Sequence, residues 1–244
     1  MGRTFGPMPL SRNAFLVFLA AIAGWVDALS FSELGSVFTS FQSGNLIFLG
    51  LATDQGDTEQ LVGAAVSLTA FLAGTALGAY AVGRADVKWP AGRRLLPAFA
   101  LEWVVLVAFA ACWAAFGTPA GDSAERIALV ALAALGMGAQ GAAVLALHIR
   151  GVVTNAMTAT LMLGGVLVGL HAHGHSEARG ASPLTAVIVA AVCGSYTVSA
   201  LAVGAIGTPE LTAAVPAAVL TLFLASWLTG LLPVSPGTAQ RASG

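Results

Sequence analysis

Charge is what this chain has least of. Only 9% of its 244 residues are Asp, Glu, Lys or Arg, where a soluble domain carries about 25%. So few charges cannot cover a water-facing surface, which excludes an ordinary soluble domain. The formal net charge is −1, and a chain without basic excess has no nucleic acid among its expected partners. Cysteine is scarce as well. Cys112 and Cys193 each sit inside an apolar run and read as small packing residues, not as a disulfide. No HExxH zinc motif occurs. His171, His173 and His175 alternate in "HAHGH". With no cysteine and no nearby carboxylate beyond Glu177, they read as a cytoplasmic loop in preference to a metal site. No metal and no cofactor is expected.

What remains is hydrocarbon. The chain is 57% hydrophobic, with a mean hydropathy of +0.87 and 29 glycines. This is the composition of an integral membrane protein whose helices approach closely in lipid. A secretory signal peptide, with Arg3 and Arg12 before Ala14–Gly24, is the lesser reading, because no small-x-small cleavage site follows. The chain divides into an N-terminal segment (1–13), one transmembrane domain (14–232) and a C-terminal tail (233–244).

A spanning helix needs about 20 mostly apolar residues. Six segments meet this: Ala14–Phe31, Leu61–Ala81, Leu95–Phe116, Ile127–Leu147, Leu184–Ala205 and Ala213–Leu232. Two further runs, Leu46–Ala52 and Leu161–Leu170, are too short. Each makes only about 10–15 Å of helix. Lys and Arg concentrate in cytoplasmic loops, and this rule weighs the alternatives. With six crossings and a cytoplasmic N-terminus, nine of the ten basic residues lie inside and only Arg126 lies outside. With eight crossings, five of ten lie inside in either orientation. The expectation is therefore an all-α polytopic protein of the bacterial inner membrane, with six spans and both termini cytoplasmic. Eight spans is the alternative.

In the six-span arrangement, Gly35–Asn45 dips into the bilayer and Leu46–Ala52 returns as a half-helix. Gly151–Thr160 dips from the opposite face and Leu161–Leu170 returns. Two half-repeats, about 14–116 and 127–232, follow the same order of long, short, long, long. "AGWVDA" (23–28) aligns with "MGAQGA" (137–142), and "TSFQSGNLIFLG" (39–50) with "TNAMTATLMLGG" (154–165). Three crossings per half make this a pseudo-symmetric inverted repeat, a common way of building a transport site near the midplane. Eight crossings would make it parallel.

"AGWVDALSFSELGSVFTSFQSGN" (23–45) resembles the N-terminal signature of the YoaK-type bacterial integral membrane proteins, a family of unknown function. That signature runs A-G-x-x-D-A-x-x-F-x-x-L-G-x-V-F, followed by T-G-N. Ala23, Gly24, Asp27, Ala28, Phe31, Leu34, Gly35, Val37, Phe38, Gly44 and Asn45 match, and Ser43 replaces the threonine. "LGMGAQGAAVLALHIRGVVTNAMTATL" (135–161) also resembles the family, with Gly141 where an asparagine often stands. The resemblance implies a small multi-span membrane protein and brings no settled activity.

Asp27 is the sharpest candidate, since an acid at membrane depth is costly and faces the bundle interior. It serves either as a proton- or cation-coupling site or as a hydrogen-bond acceptor that pins the dip. Glu102 is either a snorkelling partner of Arg93 and Arg94 or a core partner of Asp27. Gln42, Ser43, Gly44, Asn45, Gln140, Asn155 and Thr158 form a polar set on and beside the dips, which either satisfies freed backbone or lines a solute pathway. The expected function is a secondary transporter or channel-like permease for a small polar solute, with proton coupling through Asp27. An accessory membrane protein without transport activity is the alternative. An intramembrane serine enzyme using Ser43 and His148 is disfavoured, because the two sit at different depths, so the protein is not expected to be an enzyme. The expected partners are the lipid bilayer and that solute. A homodimer is a further possibility through the GxxxG-type pairs at Gly74/Gly78 and Gly165/Gly169.

Overall fold

The computed structural model describes residues 10–86, 93–119, 123–146 and 183–229, with positions 89, 121, 161, 162, 165 and 166. All regular structure among the described residues is helical. The helices are α1 (Leu10–Glu33), α2 (Gln42–Gln55), α3 (Thr58–Arg84), α4 (Leu96–Phe116, entered through a 3-10 turn at Arg93–Leu95), α5 (Ala124–Ala146), α6 (Pro183–Ile206) and α7 (Pro209–Leu228). All but α2 are long and apolar enough to cross a membrane.

Local chemistry sets several helix ends. Asp57 caps α3 by accepting from the Gln60 amide at 3.0 Å. Glu59 in the first turn and Arg84 in the last complement its dipole. Pro216 lies inside α7. It has no N–H to give to the carbonyl of Thr212, four residues earlier. The indole N–H of Trp25 donates to that carbonyl at 2.7 Å. A helix-breaking residue thus becomes a tie between α1 and α7.

Contacts between helices settle their directions. Arg126 at the start of α5 donates to Leu34 O just past α1, and Gln140 donates to Leu19 O. So α1 and α5 are antiparallel. Ser195 donates to Val17 O, and Gly24 meets Tyr196 and Ser199, so α6 runs parallel to α1. Gly63 lies near Arg126, Gly74 against Leu135 and Gly78 against Ala139 and Ala142, so α3 runs parallel to α5. The main partnerships are α3 with α5, α1 with α6, α4 with α5, α2 with α3 and α4 with α7. Gly74 and Gly78 therefore serve packing within the chain. Gly169 lies outside the described residues. An aromatic cluster of Phe15, Phe99 and Phe223 ties α1, α4 and α7 near the start of α1, with ring centroids 5.1 and 4.5 Å from Phe15.

Two of these crossings are pinched at glycine. A Cβ on Gly24 would come within 2.5 Å of the Tyr196 carbonyl oxygen. A Cβ on Gly138, its counterpart in the sequence alignment, would collide with the Phe71 carbonyl and lie 2.8 Å from Thr75 N. Only glycine lets these backbones meet.

The first short run does not cross. Arg126 donates to Leu34 O at 3.0 Å and to Glu59 O at 3.1 Å. The end of α1 and the start of α3 therefore lie on the same side, and the chain between them enters and leaves by one face. This excludes the eight-crossing alternative, which needs them on opposite sides. The returning helix also differs from expectation. It begins at Gln42, not Leu46, because the side chains of Gln42 and Asn45 fold back onto the preceding loop from its first turn. Of the second expected dip, positions 161, 162, 165 and 166 are helical and exposed, and the remainder lies outside the described residues.

Two outcomes check this fold. In a background lacking Cys112 and Cys193, cysteines at Asp57 and Ser123 react with an impermeant maleimide from one face, and one at Asp86 reacts from the other. A cysteine at Asp57 that partitions with Asp86 would mean a full crossing. Gly138→Val lowers the thermal midpoint in detergent by the equivalent of about 1–3 kcal/mol or more of overpacking. Gly83→Ala, in open space, leaves it unchanged or raises it, since alanine is the better helix former by about 1 kcal/mol.

Candidate functional site, a clamped hairpin at membrane depth

The chain leaves α1 through Gly35 and Ser36, both in the left-handed region at φ 81° and 56°. Gly35 also gives way to a cation, since a Cβ there would overlap Arg126 Nη1. Arg126 is buried and forms an ion pair with Glu59 at 3.4 Å. The chain then runs back along α1 as far as Thr39 and Ser40, which meet Asp27. Asp27 is seven residues before Leu34, about 10 Å along the helix. Ser67 of α3, which also meets this loop, is eight residues beyond Glu59, about 12 Å. Both flanking helices thus give the same depth for the hairpin.

Asp27 is the acceptor at the bottom of this hairpin. Its Oδ1 accepts from Thr39 N at 2.7 Å, Ser40 N at 2.7 Å and Thr39 Oγ1 at 3.1 Å. Its Oδ2 accepts from Ser40 Oγ and from Tyr196 Oη, the latter at 2.6 Å. Asp27, Thr39 and Ser40 are all buried. Buried backbone amides need partners, and here one carboxylate serves two of them while binding α6 through Tyr196.

A second clamp holds the other side of the loop. Asn45 bridges the backbone of Phe38, accepting from its N–H at 3.1 Å and donating to its carbonyl at 2.6 Å. Its amide also donates to Gln42 Oε1 at 2.9 Å. Gln42 donates to Thr39 O at 2.8 Å, and Ser67 donates to Phe38 O at 2.6 Å. Gly44 leaves room for Phe38, since a Cβ there would lie 2.8 Å from that ring. The Phe38 ring stacks on Phe31 at 4.9 Å and on Phe48 at 6.0 Å.

Asp27, Gln42, Gly44 and Asn45 are thus gathered on one hairpin, and three other candidates lie apart. Ser43 falls on the exposed face of α2 with Leu46, Ile47 and Leu51. It does not cap the helix, since Phe41 holds the cap position. Gln140 donates to Leu19 O at 2.9 Å, two turns of α1 before Asp27. Glu102 is buried on α4, and neither carboxyl oxygen has a hydrogen-bond partner. Asn155, Thr158 and His148 lie outside the described residues, as does "HAHGH". Sequence reading missed Thr39, Ser40, Ser67, Tyr196 and the structural use of Arg126. Tyr196 carried a weak signal as one of only two tyrosines, set inside an apolar span.

Two cavities lie beside α1 where it meets α6 and α7. One, of about 210 Å³, is lined by Ser32, Glu33, Gly204, Thr208 and Thr212 among others. The other, of about 300 Å³, lies between α1, α6 and α7 and is lined by Phe18, Trp25, Ser195, Val198 and Pro216 among others. Neither is lined by Asp27, Asn45, Glu102 or Gln140.

Comparison with known proteins adds a relationship. Residues 15–227 match a family model described as "Protein of unknown function (DUF1275)". The chain is also similar to the UPF0700 transmembrane protein YoaK of Bacillus subtilis (strain 168), at 32% identity over 153 residues. That match covers 62% of this chain and 64% of the relative, so the chain spans somewhat under two thirds of its length. No solved structure matches the chain.

The clamp separates two substitutions. Asp27→Ala strands the amides of Thr39 and Ser40 and costs about 2–6 kcal/mol, at about 1–3 kcal/mol for each buried group left unpaired. Asp27→Asn keeps an oxygen for both amides, and its NH₂ faces hydroxyls that can turn to accept. Thermal unfolding in detergent should show the alanine variant much less stable than the asparagine variant. Equal losses would mean that the amide pairing is not what holds the hairpin.

Proposed function

The chain belongs to the DUF1275 family of proteins of unknown function, and from that premise we propose that it is a small permease, a secondary transporter or channel-like protein for a small polar solute. The observation that carries this reading is the hairpin. Non-helical backbone at membrane depth is tolerated only inside protein or beside a water-filled cavity. This bundle commits a buried acid, two amides and a serine to keeping such backbone there.

The packing supports the same reading. The second long helix of each half lies on the first long helix of the other, α3 on α5 and α6 on α1. The aligned glycines Gly24 and Gly138 mark the two crossings. Swapping the halves leaves this set of partners unchanged, and the equivalent helices α1 and α5 run in opposite directions. We read this as an inverted repeat, the architecture in which two bundles rock around a shared site. The protein sits in the bacterial cell membrane with both termini cytoplasmic, as the distribution of basic residues favours. Arg126, the exception to that rule, is held as a buried structural cation. The protein is not an enzyme in this reading, since Ser43 faces outward among apolar side chains on α2.

One observation favours the second reading, an accessory membrane protein without transport. Asp27 is fully engaged as an acceptor, so coupling through it would require breaking up to five hydrogen bonds. Counterflow distinguishes the two readings. Purified protein in liposomes preloaded with a panel of small polar solutes should exchange at least one of them with labelled external solute, above empty liposomes. No exchange across the panel, together with a stoichiometric co-purifying membrane partner, would favour the accessory reading.

A further inference from the structure

The two intramembrane acids stand in opposite surroundings. Asp27 is met by donors on both oxygens. Glu102 is 0% exposed and has no hydrogen-bond partner on either oxygen. It lies among Ala98, Phe99, Val105 and Leu106 on the buried face of α4. A carboxylate in such a place would be an isolated buried charge, which proteins avoid by neutralising the group.

The helix registers fix its level. Phe99, one turn earlier, meets Phe15 at 5.1 Å. Val105 and Leu106, one turn later, face Gly136 of the antiparallel α5. Glu102 therefore shares a level with Leu19 and Gln140, which are hydrogen-bonded to each other. It lies two turns of α1 away from Asp27's level. The ionisable groups on the elements packed against α4 sit elsewhere: Glu125 and Arg126 at the far end of α5, Glu59, Tyr80 and Arg84 on α3, Glu210 at the start of α7, and Arg93 and Arg94 in the preceding turn. None forms an ion pair or hydrogen bond with Glu102.

We propose that Glu102 is the proton-binding site of this protein, a carboxylic acid that keeps its proton while the bundle is closed and releases it when the helices around it part. Asp27 is then the fixed clamp, and Glu102 is the exchangeable group. The start of α4 is six residues or about 9 Å away, on the side of Arg93 and Arg94. In using the proton for coupling, the proposal rests on the permease reading. The protonated acid itself does not.

Infrared spectroscopy of the folded protein in mildly alkaline buffer tests the acid directly. Wild type should show a protonated-carboxyl carbonyl band that is absent from Glu102→Gln. Isotopically labelled glutamate should shift the same band in wild type, which needs no substitution. A wild-type spectrum without such a band overturns the proposal. In liposomes, Glu102→Gln should keep solute counterflow and lose proton-driven accumulation, while its thermal midpoint stays near that of wild type. Unchanged proton-driven accumulation in that variant removes Glu102 as the coupling group and leaves the permease reading standing. A band at Glu102 with no counterflow in wild type upholds the buried acid and removes the permease reading.

Discussion

A loop of peptide groups placed at membrane depth has no water to turn to, and the bundle is arranged around that constraint. The carboxylate of Asp27 answers it on one side, taking the amides of Thr39 and Ser40 while Tyr196 joins from α6. Asn45 answers it on the other, reading both polar groups of the Phe38 backbone as a neighbouring strand would. With the loop satisfied, α2 can return along α3, and the start of α3 comes back beside the end of α1. The buried Arg126 then fastens both ends with its guanidinium. The directions of α3, α4 and α5 follow from that return.

The same chemistry distinguishes the surroundings of the two acids. An acid surrounded by donors is a structural part, costly to disturb. An acid surrounded by hydrocarbon has no such tie and can change state without dismantling a network. The clamp lies near the end of α1 and the unpartnered carboxyl of Glu102 near the start of α4, at separate depths. Both lie within one bundle, in which α3 packs on α5 and α6 on α1.

Much of this architecture was legible in the sequence. Length and apolarity marked six spans, and the distribution of Lys and Arg argued that Leu46–Ala52 returns on the side it entered. Gly24 and Gly138, which align in the sequence, both lie at pinched crossings. Other features had no local signature. Gln42 and Asn45 looked like loop residues because nothing nearby says that their side chains reach back to Thr39 and Phe38. Tyr196 and Ser67 join the hairpin from 169 and 22 residues beyond Asp27 and Asn45, distances at which sequence patterning is silent. The sequence ranked Asp27 first and offered Glu102 the partners Arg93, Arg94 or Asp27, because the tertiary surroundings that leave Glu102 without a hydrogen bond have no local signature. Arg126 stood out only as an exception to a charge rule, whose reason lies in two carbonyls from other helices.

The hydroxyl of Tyr196 reaches Asp27 across most of the chain, and this bears on how the molecule is made. When the ribosome has delivered α1 to α3, the hairpin can already be sealed by Thr39, Ser40, Asn45 and Ser67, all close in sequence. The flank of α1 around Gly24 is still bare, a slot kept open in the lipid for a helix not yet translated. The last donor to Asp27 therefore arrives only with α6, after the rest of the clamp has been translated.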